Sequence, residues 1–311
     1  MNEQEATMRR PMTRRFFLAS TGAALAGTAL LSATGHVAEA QSARNRRSIT
    51  LGTIGWDEDI AISGLTKVLL MEDLGYTSVQ DTLADVGILF EGVGKGDLTA
   101  FQDVWLPNHT AYLARVKDHV ELLPPWYIGT TKFSLAVPSY MHITSIAQLN
   151  STGAKVIYGI EPGAAITPKI SQNVIPWYHL KQTFIPSSTA AMLSQVAKLY
   201  RAHQPFVFIA WSPHWMNAKY QITYLSDPKG ALGNLTKPSR LTTIVHKGLK
   251  QSDPVAYTLM RSIRLTAEQV NQMEFEINKA GNPQKGVQTW LQRNREVVQP
   301  WVNAAKKAKG V

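Results

Sequence analysis

Beyond residue 47 the chain alternates short apolar runs with longer stretches of helical period. Residues 48–53 read as a first strand, after which Gly55-Trp56 turns the chain. Asp57, Glu58 and Asp59 then place acids in the first turn of a helix reaching about residue 74, with Ile60, Leu65, Val68 and Leu69 on its inner side. A second strand is expected over 77–83, a helix over 86–96 and a third strand over 98–104. Gly92, Gly94 and Gly96 close that helix, whereas a dinucleotide fingerprint needs glycines that open a helix after a strand.

Further strands are predicted over 132–137, 155–160, 206–210 and 240–245. Helices fall between and after them: over 144–149, from Ala165 toward 174, over 188–203, after Asp253-Pro254, and after Thr266, where Thr266-Ala267-Glu268-Gln269 has capping-box form. A last helical region begins at Pro283 and is expected to break near Pro300. This alternation predicts an α/β fold. Crossings at 132–137 and 221–225 divide it into lobe 1, residues 41–137 and 219–311, and lobe 2, residues 138–218.

Candidate chemistry gathers at strand ends. Trp211 follows the apolar run 206–210 and is turned by Ser212-Pro213, and Trp105 follows 98–104 and is turned by Leu106-Pro107. Trp56 stands after the first strand. Ligands of open α/β sheets collect beyond the carboxyl ends of the strands, so three indoles at such ends can face one. A lone tryptophan is as readily explained as core. Two strand ends of the form Trp-x-Pro are harder to ascribe to core filling alone. Glu161-Pro162-Gly163-Ala164-Ala165 leads into a helix, where free N–H groups can bind an anion, although Pro-Gly is also an ordinary turn.

Composition narrows the class. The 311 residues suit one large or two medium domains, and 44% hydrophobic with 17% charged residues is a globular balance. The chain has no cysteine, which excludes disulfides, thiolate metal sites and a lipidated amino terminus. Residues 1–40 read as an export signal: Thr13-Arg14-Arg15-Phe16-Phe17-Leu18 has twin-arginine form, an apolar stretch diluted by glycine follows, and Ala38-Glu39-Ala40 fits cleavage after Ala40. A free periplasmic protein is therefore expected. The net charge of +10 is dispersed apart from 44–47 and 306–309, neither interleaved with aromatics, so no nucleic-acid partner is expected. Neither a Gly-x-Ser-x-Gly nor a His-Glu-x-x-His motif occurs, so no enzyme, metal or cofactor is expected.

Gly55-Trp56-Asp57-Glu58-Asp59, Trp105-Leu106-Pro107-Asn108, Ile160-Glu161-Pro162-Gly163, Trp211-Ser212-Pro213-His214-Trp215-Met216 and Tyr224-Leu225-x-Asp227-Pro228-Lys229 together resemble the glycine betaine/choline substrate-binding proteins of ABC transporters. The likeness covers nearly all of the chain after residue 40. It implies a two-lobed periplasmic binding protein of the second structural type, acting as a monomer, with the ligand in the inter-lobe cleft. The implied partners are a quaternary ammonium ligand and an inner-membrane permease driven by a separate ATPase. A trimethylammonium group has no N–H to donate, but indole faces attract it at about 0.5–2 kcal/mol per desolvated ring.

By that resemblance Trp105 and Trp211 are box walls, Trp56 matches a wall of the choline-binding branch, and Phe133 either closes the box or is core. The family spacing points to Glu58 as the acid that neutralises the ammonium, and chain geometry also allows Asp59; both otherwise cap the first helix. A zwitterionic betaine needs an anion site, for which the amides at Gly163 and Ala164 and the side chain of His214 are candidates. Betaine-binding relatives take a wall from a tryptophan where this chain has Leu265, which favours choline. The asparagine that meets the choline hydroxyl in some relatives has no counterpart among Gly163-Ala164-Ala165, which favours a carboxylate. Both ligands, and proline betaine, carnitine or a sulfonium zwitterion, remain open on the sequence.

Overall fold

In the computed structural model, which describes residues 48–308, two five-stranded sheets carry the fold. The expected signal over 1–40 and the basic cluster 44–47 lie outside the described residues. All the described residues belong to one compact unit. The first sheet has the order β2–β1–β3–β11–β4, built from β1 (Ile49–Thr53), β2 (Val79–Leu83), β3 (Ala100–Leu106), β4 (Val120–Leu122) and β11 (Arg240–His246). β3 is buried from Ala100 through Trp105, as a strand covered on both faces must be, whereas β2 at the edge buries only Val79. β1 runs parallel to β2 and β3, and β11 pairs antiparallel with β3 and β4.

The second sheet has the order β10–β6–β9–β7–β8: β6 (Lys132–Pro138), β7 (Val156–Tyr158), β8 (Thr183–Ile185), β9 (Val207–Ser212) and β10 (Ile222–Tyr224). β6 lies antiparallel between β9 and β10. The crossings at 132–137 and 221–225, expected within lobe 1, hold strands β6 and β10 of this second sheet instead, so the expected division after residue 137 falls one strand too late. Periodicity marks β6 and β10 as strands without saying which sheet their edges join. A two-residue parallel ladder, β5 (Tyr127–Ile128) with β12 (Leu265–Thr266), lies apart from both sheets.

Six helices matter for the site and its support: α1 (Asp57–Val68), α2 (Val86–Lys95), α3 (Thr110–Val116), α4 (Thr189–Arg201), α5 (Ala267–Ala280) and α6 (Pro283–Lys307). α1 buries Ala61, Ile62, Leu65 and Val68 and runs on through a π-helical stretch, Leu69–Asp73, close to the expected end; Ile60 is only half-buried. α2 stops at Gly96, whose φ of 84° is left-handed. The capping box before α5 forms as expected, with Gln269 N–H donating to Thr266 Oγ1 at 3.3 Å and Thr266 N–H donating to Gln269 Oε1 at 2.8 Å. Residues 146–151 make a 3₁₀ helix rather than an α-helix.

α6 does not break at Pro300. Its non-helical residue is Asn294 (φ −129°, ψ 25°), whose Nδ2 donates to the Trp290 carbonyl at 2.9 Å, and Pro300 lies within the helix beyond it. The side chain of Asn294 takes up a carbonyl that the kink releases, a compensation that proline spacing does not reveal.

Candidate functional site

Strand register brings the aromatics together. Phe133 on β6 stands directly opposite Trp211 on β9, so the two side chains share one face of the second sheet. Trp105, near the end of β3 in the first sheet, reaches the same place, its ring 5.9 Å from that of Phe133 at 44°. Trp56 occupies the N-cap position of α1, where Gly55, at φ 96°, lets the chain turn out of β1. These four rings wall one small, tightly closed cavity. Glu58, Asn108 and His109 supply its polar groups, and Ile160, Ala164 and Ala165 close it.

Each indole is held through its N–H. Trp211 Nε1 donates to Glu58 Oε2 at 2.8 Å, Trp105 Nε1 to Asp103 Oδ1 at 3.0 Å, and Trp56 Nε1 to Glu161 Oε2 at 2.8 Å. Glu161 is itself held at the start of α4, accepting from Thr189 N–H at 2.7 Å and from Thr189 Oγ1 at 2.9 Å. A ring anchored at its edge presents its face, where the negative quadrupole lies. Two of these bonds, Trp211 to Glu58 and Trp56 to Glu161, join elements of different sheets. Tyr112 Oη, on α3, likewise donates to the Gly163 carbonyl at 3.2 Å.

A second set of cross-links lies behind Trp211. His214 Nε2 is 3.0 Å from Asp57 Oδ2, Trp215 Nε1 donates to Asp57 Oδ1 at 2.6 Å, and Trp215 N–H donates to Glu274 Oε2 at 2.7 Å. His214 is fully buried, edge-on to Trp211 with ring centroids 4.6 Å apart, and does not line the cavity. Asp59 is also buried away from it and does not cap the helix as the alternative expected: it accepts the Ile54 N–H at 2.8 Å, tying the helix start back to the end of β1. Gly163 stands outside the lining, facing Asp85 across the cleft, while its neighbour Ala164 is in it. Trp56, Glu58, Trp105, Phe133, Ala164 and Trp211 are thus brought together, and Asp59, Gly163 and His214 are not.

Three lining residues were given no role from sequence: Asn108, His109 and Ile160. Asn108 follows Trp105-Leu106-Pro107 directly, so the motif itself held the signal. Both its amide atoms are buried without a partner, an arrangement that suits a polar end of a ligand. His109 Nδ1 accepts the Trp105 N–H at 3.1 Å, which places the ring proton of the neutral imidazole on Nε2. Burial pushes its pKa down to about 3, so it lines the cavity uncharged.

The acids around the box titrate abnormally. Burial pushes Glu58, Asp103 and Glu274 well above the usual carboxylate range, and it raises Asp59 to about 7 against the hydrogen bonds from Ile54, Ser63 and Gly55. Asp57 moves the other way: burial opposes ionisation, but the bonds from His214 and Trp215 outweigh it. A raised acid contributes stability that is full below its unfolded value, 3.8 for Asp59, and is lost as pH rises through the folded value. Asp57 contributes oppositely, stabilising above its own unfolded value. Against these four raised acids stand Asp57 and also His109, whose lowered value makes stability rise with pH up to about 6.5; the acids outnumber them, so the melting temperature of the free protein should fall from about pH 4 to pH 7, and Asp59→Asn should make that fall shallower. A thermal scan across that range that instead climbs steadily would overturn this balance.

A family model described as the substrate-binding domain of ABC-type glycine betaine transport systems matches residues 47–293. A glycine betaine/carnitine transport binding protein of Listeria monocytogenes is 36% identical over 166 residues, a match spanning about half of each protein, 52% of this chain and 53% of the relative. The glycine betaine/proline betaine-binding periplasmic protein of Escherichia coli is 22% identical over 76% of this chain and 83% of its own length. Among solved structures, lactococcal OpuAC in its closed form with glycine betaine superposes with a TM-score of 0.74 at 29% identity, covering 83% of this chain and 100% of that one. A choline-binding protein in complex with choline shares the fold with a TM-score of 0.72 at 24% identity, covering 85% of this chain and 98% of that one. The expected two-lobed binding-protein architecture is therefore the observed one. A family match that takes in both sheets and every lining residue of the cavity shows that the chain belongs to the substrate-binding domains of ABC-type glycine betaine transport systems.

Proposed function

We propose that the chain captures a quaternary ammonium ion in the aromatic cavity between the two sheets and delivers it to a membrane permease. The observation that carries this reading is the lining: four rings contributed by both sheets and one acid, with neither lysine nor arginine. Rings and a carboxylate attract a cation that has no N–H, and they attract it more strongly once the closed cleft has excluded water. The relatives named for glycine betaine, carnitine and proline betaine support the ligand class. Ligand binding shifts the two lobes toward the closed population without chemistry, consistent with a family of transport proteins rather than enzymes.

Within that class the lining favours a cation with a hydroxyl, such as choline, over the zwitterion glycine betaine. Glu58 would repel a ligand carboxylate, His109 is neutral, and the amide of Asn108 can accept from or donate to a hydroxyl. Leu265, where betaine-binding relatives have a tryptophan, is fully buried in β12 and outside the lining. Calorimetric titration of the chain from residue 41 onward with choline and with glycine betaine tests this. Choline is expected to bind at least about tenfold more tightly, the difference of one charge contact. The reverse order would return the site to betaine, and heat from neither would end the quaternary ammonium reading.

Export across the inner membrane is part of the same proposal. Twin-arginine export, cleavage after Ala40 and action in the periplasm as a monomer without nucleic acid are supported by the motif at residues 13–18 and by the dispersed charge. Among the described residues no helix is long and apolar enough to cross a membrane.

A further inference from the structure

Asp103 is a fully buried acid on β3, two residues before Trp105, and stands outside the cavity lining. Its Oδ1 accepts from Trp105 Nε1, and its Oδ2 is buried with no donor from the chain. Glu58 repeats the pattern: Oε2 accepts from Trp211 Nε1, and Oε1 is buried with no donor. Burial first, then the charges of Glu58 and Asp59 and a side-chain contact with Glu58, hold the Asp103 carboxyl well above the usual range. Two ionised carboxylates offer only acceptors, so that contact needs a proton. One proton between Glu58 Oε1 and Asp103 Oδ2 satisfies both orphan oxygens. A second would have to sit on an oxygen already taken by an indole N–H.

We propose that Glu58 and Asp103 hold one proton between them and work as a single monoanionic clamp, orienting one box indole from each sheet and matching the single charge of a quaternary ammonium ion. The charge-matching half rests on the ligand class proposed above; the shared proton rests on the two orphan oxygens and on the contact between the carboxyls. Asp103 is then a positioning residue, acting through Trp105 and Glu58. The surroundings fit one negative charge rather than two. Asp57 and Asp59 on α1 and Glu274 on α5 are acids that bear on the pair, and His109 on the cavity side is neutral.

Infrared difference spectroscopy of the free protein at neutral pH, unsubstituted minus Asp103→Asn, tests the proton. The band of one protonated carboxyl should be present in the first and lost in the second, because Glu58 ionises fully once an amide donates to it. Other buried acids cancel in the difference. No lost band overturns the shared proton whatever the ligand. Choline titration tests the clamp: Asp103→Leu, which strips a partner from both Trp105 Nε1 and Glu58, should weaken binding by at least about tenfold. Asp103→Asn, whose amide oxygen can accept from Trp105 and whose N–H can donate to Glu58, should rescue affinity to within about threefold. An asparagine variant as weak as the leucine variant overturns the clamp. An unsubstituted chain that binds neither choline nor betaine brings down the ligand reading and the charge matching with it, while the infrared result still decides the proton.

Discussion

Trp211→Ala is expected to weaken choline binding by about 300-fold, through loss of a desolvated ring worth about 2 kcal/mol and of a hydrogen bond to a charged group worth about 1.5 kcal/mol. The indole is the wall that the second sheet contributes opposite Phe133, and its N–H is the donor that holds Glu58 Oε2. Removing it leaves that oxygen buried and bare, so Glu58 is driven further toward its neutral form and the counter-charge fades along with the wall. Trp211→Phe separates the two effects. It keeps a ring face but not the N–H, and should cost only about tenfold. Calorimetric titration reads both variants, and the choline affinity of Trp211→Ala matching that of the unsubstituted chain would remove the aromatic box from the account.

Gly286→Ala is expected to destabilise the folded chain by about 3 kcal/mol or more, although helix propensity alone argues that alanine should stabilise a helix by about 1 kcal/mol over glycine. The site decides against propensity. A Cβ at Gly286 would lie 2.3 Å from Ile277 Cα and 2.5 Å from Ile277 N, and backbone atoms of α5 cannot swing aside as a side chain would. α6 would have to lift from α5. Gly64 makes a useful contrast, because its Cβ would meet only side chains, Val287 at 3.3 Å and Pro283 at 3.8 Å. Urea denaturation should show a lower midpoint for Gly286→Ala, and a raised midpoint would refute the close approach. The same helix, α5, carries Glu274, whose carboxylate holds the Trp215 N–H, so lifting α6 should also loosen the link between the sheets.

The two variants mark how far residue patterns reach. The strands that carry Trp105 and Trp211 were legible because an apolar run ending in Trp-x-Pro has one local meaning: a buried strand that must turn. The turn after Gly55 and the capping box before α5 were legible for the same reason, since each is settled within a few residues. Short, mostly exposed elements such as α3 and β8 gave no periodic signal. The kink at Asn294 was displaced from the proline that advertises one because the compensating hydrogen bond comes from a side chain.

The candidate site divided along the same line. Sequence by itself determined the chemistry: three tryptophans at strand ends, an acid two residues after Trp56, no thiol, and a family likeness dense enough to name the ligand class. Only the tertiary structure decided which acid faces the cavity, because Asp57, Glu58 and Asp59 are adjacent in the first turn of α1 and successive helical residues point about 100° apart. That rotation sends Asp57 to His214 and Trp215, Glu58 to Trp211 and the cavity, and Asp59 back to the Ile54 N–H. Only the tertiary structure, too, paired Glu58 with Asp103, 45 residues away on another element, since contact across a sheet leaves no periodic trace in the chain.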